Sequence, residues 1–236
     1  MRLTLCTPII FLIIYLLTLI RFLASEHTTQ EALQWWSCRQ SIKLFQEAEK
    51  IRDGLLQESF AIRRSLEMLS VDNLELSFNK TQDCLKQIDQ FHQSLVQLSD
   101  RLFPAYLQDS LPLAIHCLLE PWRTSHPHLY FHIDMPPCWR QESVGCSLTV
   151  VTALEELLRI TLPEVLTPIS IDISLEEQQN IGQLIVRITY PEPYTLIYSS
   201  SLPELKYLCK SFQILTFGKC FYRIKNLSVV WYFCWK

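Results

Sequence analysis

At the centre of one long segment of this chain stands the sequence Glu49-Lys50-Ile51-Arg52-Asp53-Gly54-Leu55-Leu56-Gln57. Residues 28–70 around it contain no proline and only one glycine. Apolar residues recur there at spacings of three and four, and Arg52 and Ser59 fill the two gaps in the series Phe45, Ala48, Leu55, Ile62, Leu66 and Leu69. This spacing predicts a long helix with one apolar stripe. A glycine inside a helix costs about 1 kcal/mol relative to alanine, so Gly54 needs a reason beyond helix formation.

A second apolar stripe begins after Val71-Asp72-Asn73, where Asp72 or Asn73 suits the cap of a new helix. The stripe ends before Pro104 and consists of Leu74, Phe78, Thr81, Leu85, Ile88, His92, Leu95 and Leu102. Two striped helices joined by a few residues pack antiparallel. Because one hairpin leaves much of its stripe in water, the pattern predicts a homodimer in which two hairpins form a four-helix bundle. His92 is then a core or interface residue.

The composition excludes several classes of protein. The chain has 236 residues and a net charge of −3, and its basic residues are scattered, so no nucleic-acid partner is expected. Four glycines in the whole chain leave little room for a glycine-rich phosphate loop. The nine cysteines form no C-x-x-C pair. This count favours free, buried cysteines in a reducing compartment over a zinc site or a disulfide framework.

The N-terminus predicts a membrane anchor over residues 1–24. Residues 3–20 carry no charge, and as a helix they span about 27 Å, close to the thickness of the hydrocarbon core. A cleaved signal peptide is the alternative. Arg2 precedes the apolar run, whereas Arg21, Arg39 and Lys43 follow it. This distribution favours a single-pass membrane protein with its body in the cytoplasm.

The stretch from Arg52 to Gln57 resembles the H-D-G-L-x-Q phosphoacceptor helix of one subclass of sensor histidine kinases. Arg52 stands where the reactive histidine would be, and Asp53 is retained beside it. A guanidinium group is permanently protonated and has no free lone pair, so it cannot accept a phosphoryl group. The resemblance therefore implies a signalling protein that has lost its phosphoacceptor.

The order of the later elements is similar to the ATP-binding domain of the same family. Strands are predicted at 129–133, 169–175, 183–189, 220–224 and 227–235, with helices at 146–162 and 202–215. The resemblance implies an α+β fold with four parts: the anchor, a helical hairpin over 28–104, a connector over 105–128 and a degenerate ATPase-like α/β sandwich over 129–236.

The boxes that would bind ATP depart from the family pattern. Residues 153–161 resemble the helix A-L-x-N-L-L-x-N-A, but Ile160 stands at the asparagine that holds magnesium and offers no oxygen ligand. Glu156 is a weak candidate for approaching a cation and is expected to be exposed. Where D-x-G-x-G would follow, residues 189–194 read Thr-Tyr-Pro-Glu-Pro-Tyr, so prolines replace glycines. Residues 199–201 are expected to form a polar loop. No metal or cofactor is expected.

Three functions follow from these patterns. The leading hypothesis is a membrane-anchored, catalytically inactive relative of histidine kinases in two-component signalling. It would dimerise and bind a response regulator or an active histidine kinase. The second is a divergent active sensor kinase, which would need ATP and magnesium and carry phosphate on His92 or His116. The third is a membrane-tethered coiled-coil structural protein.

Overall fold

The computed structural model describes residues 6–67, 74–102, 106–162 and 167–236. The chain divides into two compact units. The hairpin unit comprises Cys38–Asp109, and the sheet unit comprises the residues up to Ser37 together with Ser110–Lys236. The predicted turn at residues 71–73 lies outside the described residues.

Long helices dominate the N-terminal part of the chain. Helix α1 spans Cys6–Lys50, a π-helical turn spans Ile51–Leu55, and α2 spans Leu56–Glu67. Helix α3 spans Leu74–Leu102, and the short α4 spans Tyr106–Asp109. Within the described side chains, no helix has the length and apolar character needed to cross a membrane.

Helices α2 and α3 pack against each other in the hairpin unit. The Ser65 hydroxyl lies 3.1 Å from Gln87 Oε1, while Gly54 and Leu98 line the same cavity. Because the earlier residue of one helix meets the later residue of the other, the two helices run antiparallel, as the stripes predict.

The predicted stripe of α3 does not face its own hairpin. Leu85, Ile88 and Leu95 are 40–55% exposed, whereas Cys84 and Leu98 are buried. Helix α3 therefore carries two rows of apolar residues. The row that contains Cys84 and Leu98 packs inside the hairpin, and the predicted row, which contains Leu85 and Leu95, lies on the outside. A single sequence stripe cannot distinguish an inner seam from an outer one, since both repeat with the same period.

The sheet unit is built on a five-stranded mixed sheet. The strands are β1 Leu129–Asp134, β2 Ile169–Gln178, β3 Ile181–Thr189, β4 Lys219–Lys225 and β5 Ser228–Trp235. Their order across the sheet is β1-β2-β3-β5-β4, and only β1 and β2 pair in parallel. The predicted α+β class is confirmed. Each predicted strand begins and ends within three residues of the ends of an observed strand.

Four helices complete this unit: α5 Leu111–Ser125, α6 Val144–Thr161, α7 Pro193–Ser200 and α8 Pro203–Thr216. They contact one another and the strands, with α6 packed against α5, α7 and α8, and α8 packed against β4. Alternate residues of the strands are buried, as in the run Ile169, Ile171 and Ile173 of β2. Such alternation places one apolar face of the sheet under the helices.

Two boundaries differ from the predicted domains. The predicted hairpin domain starts at residue 28, but Ala32 is fully buried and its carbonyl accepts a hydrogen bond from the Ser211 hydroxyl of α8 at 2.8 Å. Residues 28–37 therefore belong to the sheet unit. Helix α5 falls in the predicted connector, yet Ile115 and Leu119 are fully buried core residues. Long-range packing of this kind leaves no local signal in the sequence.

Candidate functional site

The stretch that resembles a phosphoacceptor helix forms the π-helical turn Ile51–Leu55 of the hairpin unit. The Arg52 side chain is 64% exposed, and its Nε lies 3.1 Å from Asp53 Oδ1. Its Nη2 lies 3.7 Å from Glu49 Oε1. Arg52 and Asp53 thus form an exposed charged cluster with Glu49, on a helical turn of a type that is frequent at functional sites. The cluster offers hydrogen-bond donors and acceptors to a partner.

A shallow cavity of about 150 Å³ lies on the hairpin unit next to this turn. It is lined by residues of the π turn and by Ser94, Gln97 and Leu98 of α3. Gly54 is one of the lining residues, and a Cβ atom added to it would meet nothing within 4 Å. Gly54 is therefore not required for packing within the chain itself.

The other candidate site lies in the sheet unit, at the C-terminal end of α6. Ile160 is half-buried in the last turn of this helix. Glu156 is 3% exposed, so the expectation of an exposed helix residue is wrong. Glu156 is one turn before Ile160 on a helix enclosed by α5, α7 and α8, and this packing on several sides accounts for its burial.

Tyr190 occupies the space between the end of α6 and the segment that follows β3. Its side chain is 2% exposed, and its hydroxyl donates to the carbonyl oxygen of Thr161 at 3.2 Å. Its backbone N–H donates to the carbonyl oxygen of Leu227 at 2.9 Å. The Ser199 side chain is hydrogen-bonded to the same hydroxyl. Tyr190 therefore connects three elements: its hydroxyl links α6 to α7, and its backbone N–H links to the β4–β5 turn.

The side chain of Tyr190 is shielded from solvent. Burial raises the pKa of Tyr190 to about 12, although the hydrogen bonds with Ser199 and Thr161 act in the opposite direction. The phenol stays protonated at neutral pH and acts as a hydrogen-bond donor. In this position its hydrogen bonds with Thr161 and Ser199 join α6 to α7.

One further expectation about this region is corrected. Ser199 and Ser200 belong to α7 and not to a polar loop, and Ser199 is buried against Tyr190. Proline at the start of α7 gave the signal, because Pro193 stands at the first helical position. The sequence gives no signal for the position of Tyr190, since its hydroxyl partners Thr161 and Ser199 lie on other elements.

The architecture is therefore that of an α+β protein with a long N-terminal helix and a mixed sheet covered by helices. No protein-family model matches the chain, and no curated protein sequence matches it. Solved structures that resemble the chain are histidine kinases.

The histidine kinase AdeS of Acinetobacter baumannii is 10% identical with a TM-score of 0.40, and the match covers 85% of this chain and 96% of that one. A histidine kinase from Burkholderia phymatum STM815 is 12% identical with a TM-score of 0.42, covering 80% and 96%. The histidine kinase ThkA, solved in complex with the response regulator protein TrrA, is 15% identical with a TM-score of 0.41, covering 83% and 62%.

Proposed function

We propose that this chain is a histidine-kinase-like protein of two-component signalling that acts by dimerisation and partner binding and transfers no phosphoryl group. The observation that carries the proposal is Tyr190, whose buried hydroxyl bridges α6 and α7. A nucleotide at this position would have to displace the phenol and break its hydrogen bonds with Thr161 and Ser199.

The residues around Tyr190 support the same conclusion. Ile160 presents a hydrocarbon side chain where magnesium would need an oxygen ligand. Pro191 and Pro193 lack the backbone N–H groups that a phosphate would use. Without a metal ligand or backbone donors, the charge of a triphosphate would remain uncompensated there.

The charged cluster of Glu49, Arg52 and Asp53 is the proposed docking surface for a response regulator. The three side chains are solvent-exposed and held in one arrangement by ion pairs. Charge complementarity at such a surface steers association and fixes the orientation of the partner. An active histidine kinase is a second possible partner, which would pair its own hairpin with this one.

The outer apolar stripe of α3 supports the proposed homodimer. Leu85, Ile88, Leu95 and Leu102 expose 40–55% of their surface in the single chain. Full burial of an exposed leucine side chain contributes roughly 1.5–3 kcal/mol, so covering the exposed half of these side chains favours pairing of two such stripes. A second copy supplies a stripe with the same spacing, as a dimeric four-helix bundle requires.

Membrane anchoring through the first helix is part of the proposal. Nine large apolar side chains on α1 are 44–66% exposed: Leu12, Ile14, Tyr15, Leu16, Leu17, Leu19, Ile20, Phe22 and Leu23. The predicted placement of the body in the cytoplasm rests on the distribution of Lys and Arg. Flotation of the full chain with lipid vesicles, against a chain that lacks residues 1–24, tests the anchor. Equal flotation of both chains would overturn it.

Nucleotide binding and autophosphorylation by the full-length chain test the proposed lack of catalysis. We expect no heat of binding with ATP and magnesium in calorimetry and no acid-labile label after incubation with radioactive ATP. The paired control is an active histidine kinase assayed in parallel. Label on His92 or His116 would instead establish the divergent active kinase.

Co-precipitation with a panel of purified response regulators tests the docking surface. We expect retention of a regulator by the wild type and its loss in Arg52→Glu, which reverses the charge of the cluster. Lys86→Glu makes the same change on an exposed site of α3 and should retain the regulator. Docking at this cluster would be excluded if Arg52→Glu retained the regulator as Lys86→Glu does. It would also be excluded if the wild type retained no regulator.

A further inference from the structure

Two cysteines lie against each other where α8 meets β4. The Sγ atoms of Cys209 and Cys220 are 2.6 Å apart. Gln213 Nε2 donates to the carbonyl oxygen of Cys220 at 3.0 Å, which adds a second link between the helix and the strand. A disulfide bond is about 2.05 Å long, so a small further approach of the sulfur atoms is sufficient to form one.

The turn between α8 and β4 holds the pair in place. Phe217 adopts a left-handed conformation with φ 51°, and Gly218 follows it. A Cβ atom at Gly218 would collide with the backbone carbonyl of Cys234. Because the chain turns sharply against β5 at residues 217–218, Cys220 at the start of β4 lies next to α8.

A cavity of about 530 Å³ lies beside the pair. Cys209 and Cys220 both line it, together with Lys206, Ser201 and Tyr222. A water molecule occupies roughly 30 Å³ in the liquid, so a small peroxide has ample room. Cys209 is half-buried and Cys220 is 6% exposed, so an incoming molecule meets Cys209 first.

We propose that Cys209 and Cys220 form a reversible redox modification site, which a small hydroperoxide oxidises to a disulfide and a cellular thiol reduces. The site is independent of the proposed signalling function. In the oxidised form, a covalent bond between Cys209 and Cys220 joins α8 to β4 beside the cavity.

The oxidation balances in two steps. The Cys209 thiolate attacks one oxygen of hydrogen peroxide, the O–O bond breaks, and the leaving oxygen takes a proton to become water. Cys209 is then a sulfenic acid. The Cys220 sulfur, as its proton leaves, attacks Cys209 Sγ, the S–O bond breaks, and a second water is released. Two thiols have lost two electrons, and the peroxide has gained them. Two molecules of a reducing thiol reverse the change and become a disulfide themselves.

The environments of the cysteines agree with this order. Burial raises the pKa of the Cys220 thiol far above its usual range, and the hydrogen bond with Cys209 acts in the same direction. Cys220 therefore stays protonated and is the second sulfur to react. Burial also raises the pKa of Cys146 to about 11, with the charge of Glu142 adding to the rise. Cys146 is thus a poor competitor for the oxidant at neutral pH.

Peptide mapping of the full chain tests the site. The reduced protein is treated with hydrogen peroxide, its remaining thiols are blocked with N-ethylmaleimide, and it is digested with trypsin without reduction. Cys209 and Cys220 fall on separate peptides, Tyr207–Lys210 and Cys220–Arg223, and Cys234 falls on a third, Asn226–Lys236. We expect the first two peptides to be joined, in roughly tenfold excess over any other linked pair.

Three variants and a melting curve complete the test. Cys209→Ser and Cys220→Ser should each abolish the linked pair, while Cys234→Ser, a matched control on β5, should retain it. The oxidised wild type should melt roughly 5 °C higher than the reduced form, and dithiothreitol should reverse the shift. The proposal is overturned if Cys209 ends as a sulfinic acid or a maleimide adduct without the link, or if a link to Cys234 or between chains predominates.

Discussion

Tyr190 illustrates how a single residue can join several elements of a fold. Its backbone amide is held by the β4–β5 turn and its hydroxyl by Thr161 and Ser199. The sequence shows that no glycine follows β3 in residues 190–194. It does not show that a phenol fills the space, because its contacts Thr161 and Leu227 are far apart along the chain.

The titration of Tyr190 gives a prediction at this scale. The unfolded phenol has a pKa near 10, whereas the folded one is raised to about 12 by burial. Above pH 10 the unfolded state loses its proton first, so the stability that Tyr190 contributes is complete below pH 10 and is lost as the pH rises to 12. The loss is on the order of 2 to 3 kcal/mol.

The comparison with Tyr190→Phe isolates this contribution. At pH 7 the variant should be less stable by about 1 kcal/mol, since it lacks the hydrogen bond with Thr161. Between pH 10 and 12 it should lose less stability than the wild type, so the two curves converge or cross. Urea unfolding at stepped pH measures both, and parallel curves over that interval would contradict the buried phenol.

The π-helical turn is the feature to test at the scale of elements. Gly54 has no positive φ, and a Cβ atom there would meet open space. Alanine is therefore compatible with the fold, and it loses less backbone freedom on folding than glycine does. Gly54→Ala should raise the free energy of unfolding by about 0.5–1 kcal/mol, as measured by urea unfolding of the helical signal. A loss of stability would show that the turn requires glycine.

The outer stripe of α3 gives a second prediction for an element. Leu95→Asp places a charge on the 41% exposed side chain at the middle of the stripe. If the stripe pairs with a second copy, the dimer dissociation constant measured by sedimentation should rise by more than about tenfold, because the charge must be desolvated. Gln90→Asp adds the same charge on an exposed position off the stripe and should leave the constant unchanged. An equal effect of both variants would remove the stripe from the interface.

At the scale of the whole molecule, residues before the hairpin unit belong to the core of the sheet unit. Ala32 is fully buried, and the Ser211 hydroxyl of α8 donates to its carbonyl. Trp35 lies beside Tyr207 of the same helix, with ring centroids 6.3 Å apart. The stability of the sheet unit therefore depends on a segment that is about eighty residues earlier than α5 in the chain.

Ala32→Glu should destabilise the sheet unit by more than about 2 kcal/mol, since it places a charge in a fully buried position. Gln34→Glu introduces the same side chain at an exposed position of α1 and should change stability by less than about 0.5 kcal/mol. Thermal unfolding followed by tryptophan fluorescence reports on this unit through the buried Trp231 and Trp235. Equal melting temperatures for the two variants would contradict the packing of α1 on α8.

The sequence by itself determined the five strands, the helical hairpin and helices α6 and α8, because these depend on local spacing and residue chemistry. The tertiary structure alone decided which seam of α3 lies inside the hairpin, that Glu156 is buried, that Tyr190 occupies the space beside α6, and that Cys209 meets Cys220. Each of these depends on residues from different elements being brought together. Periodicity along the chain specifies which face is apolar but not what covers it.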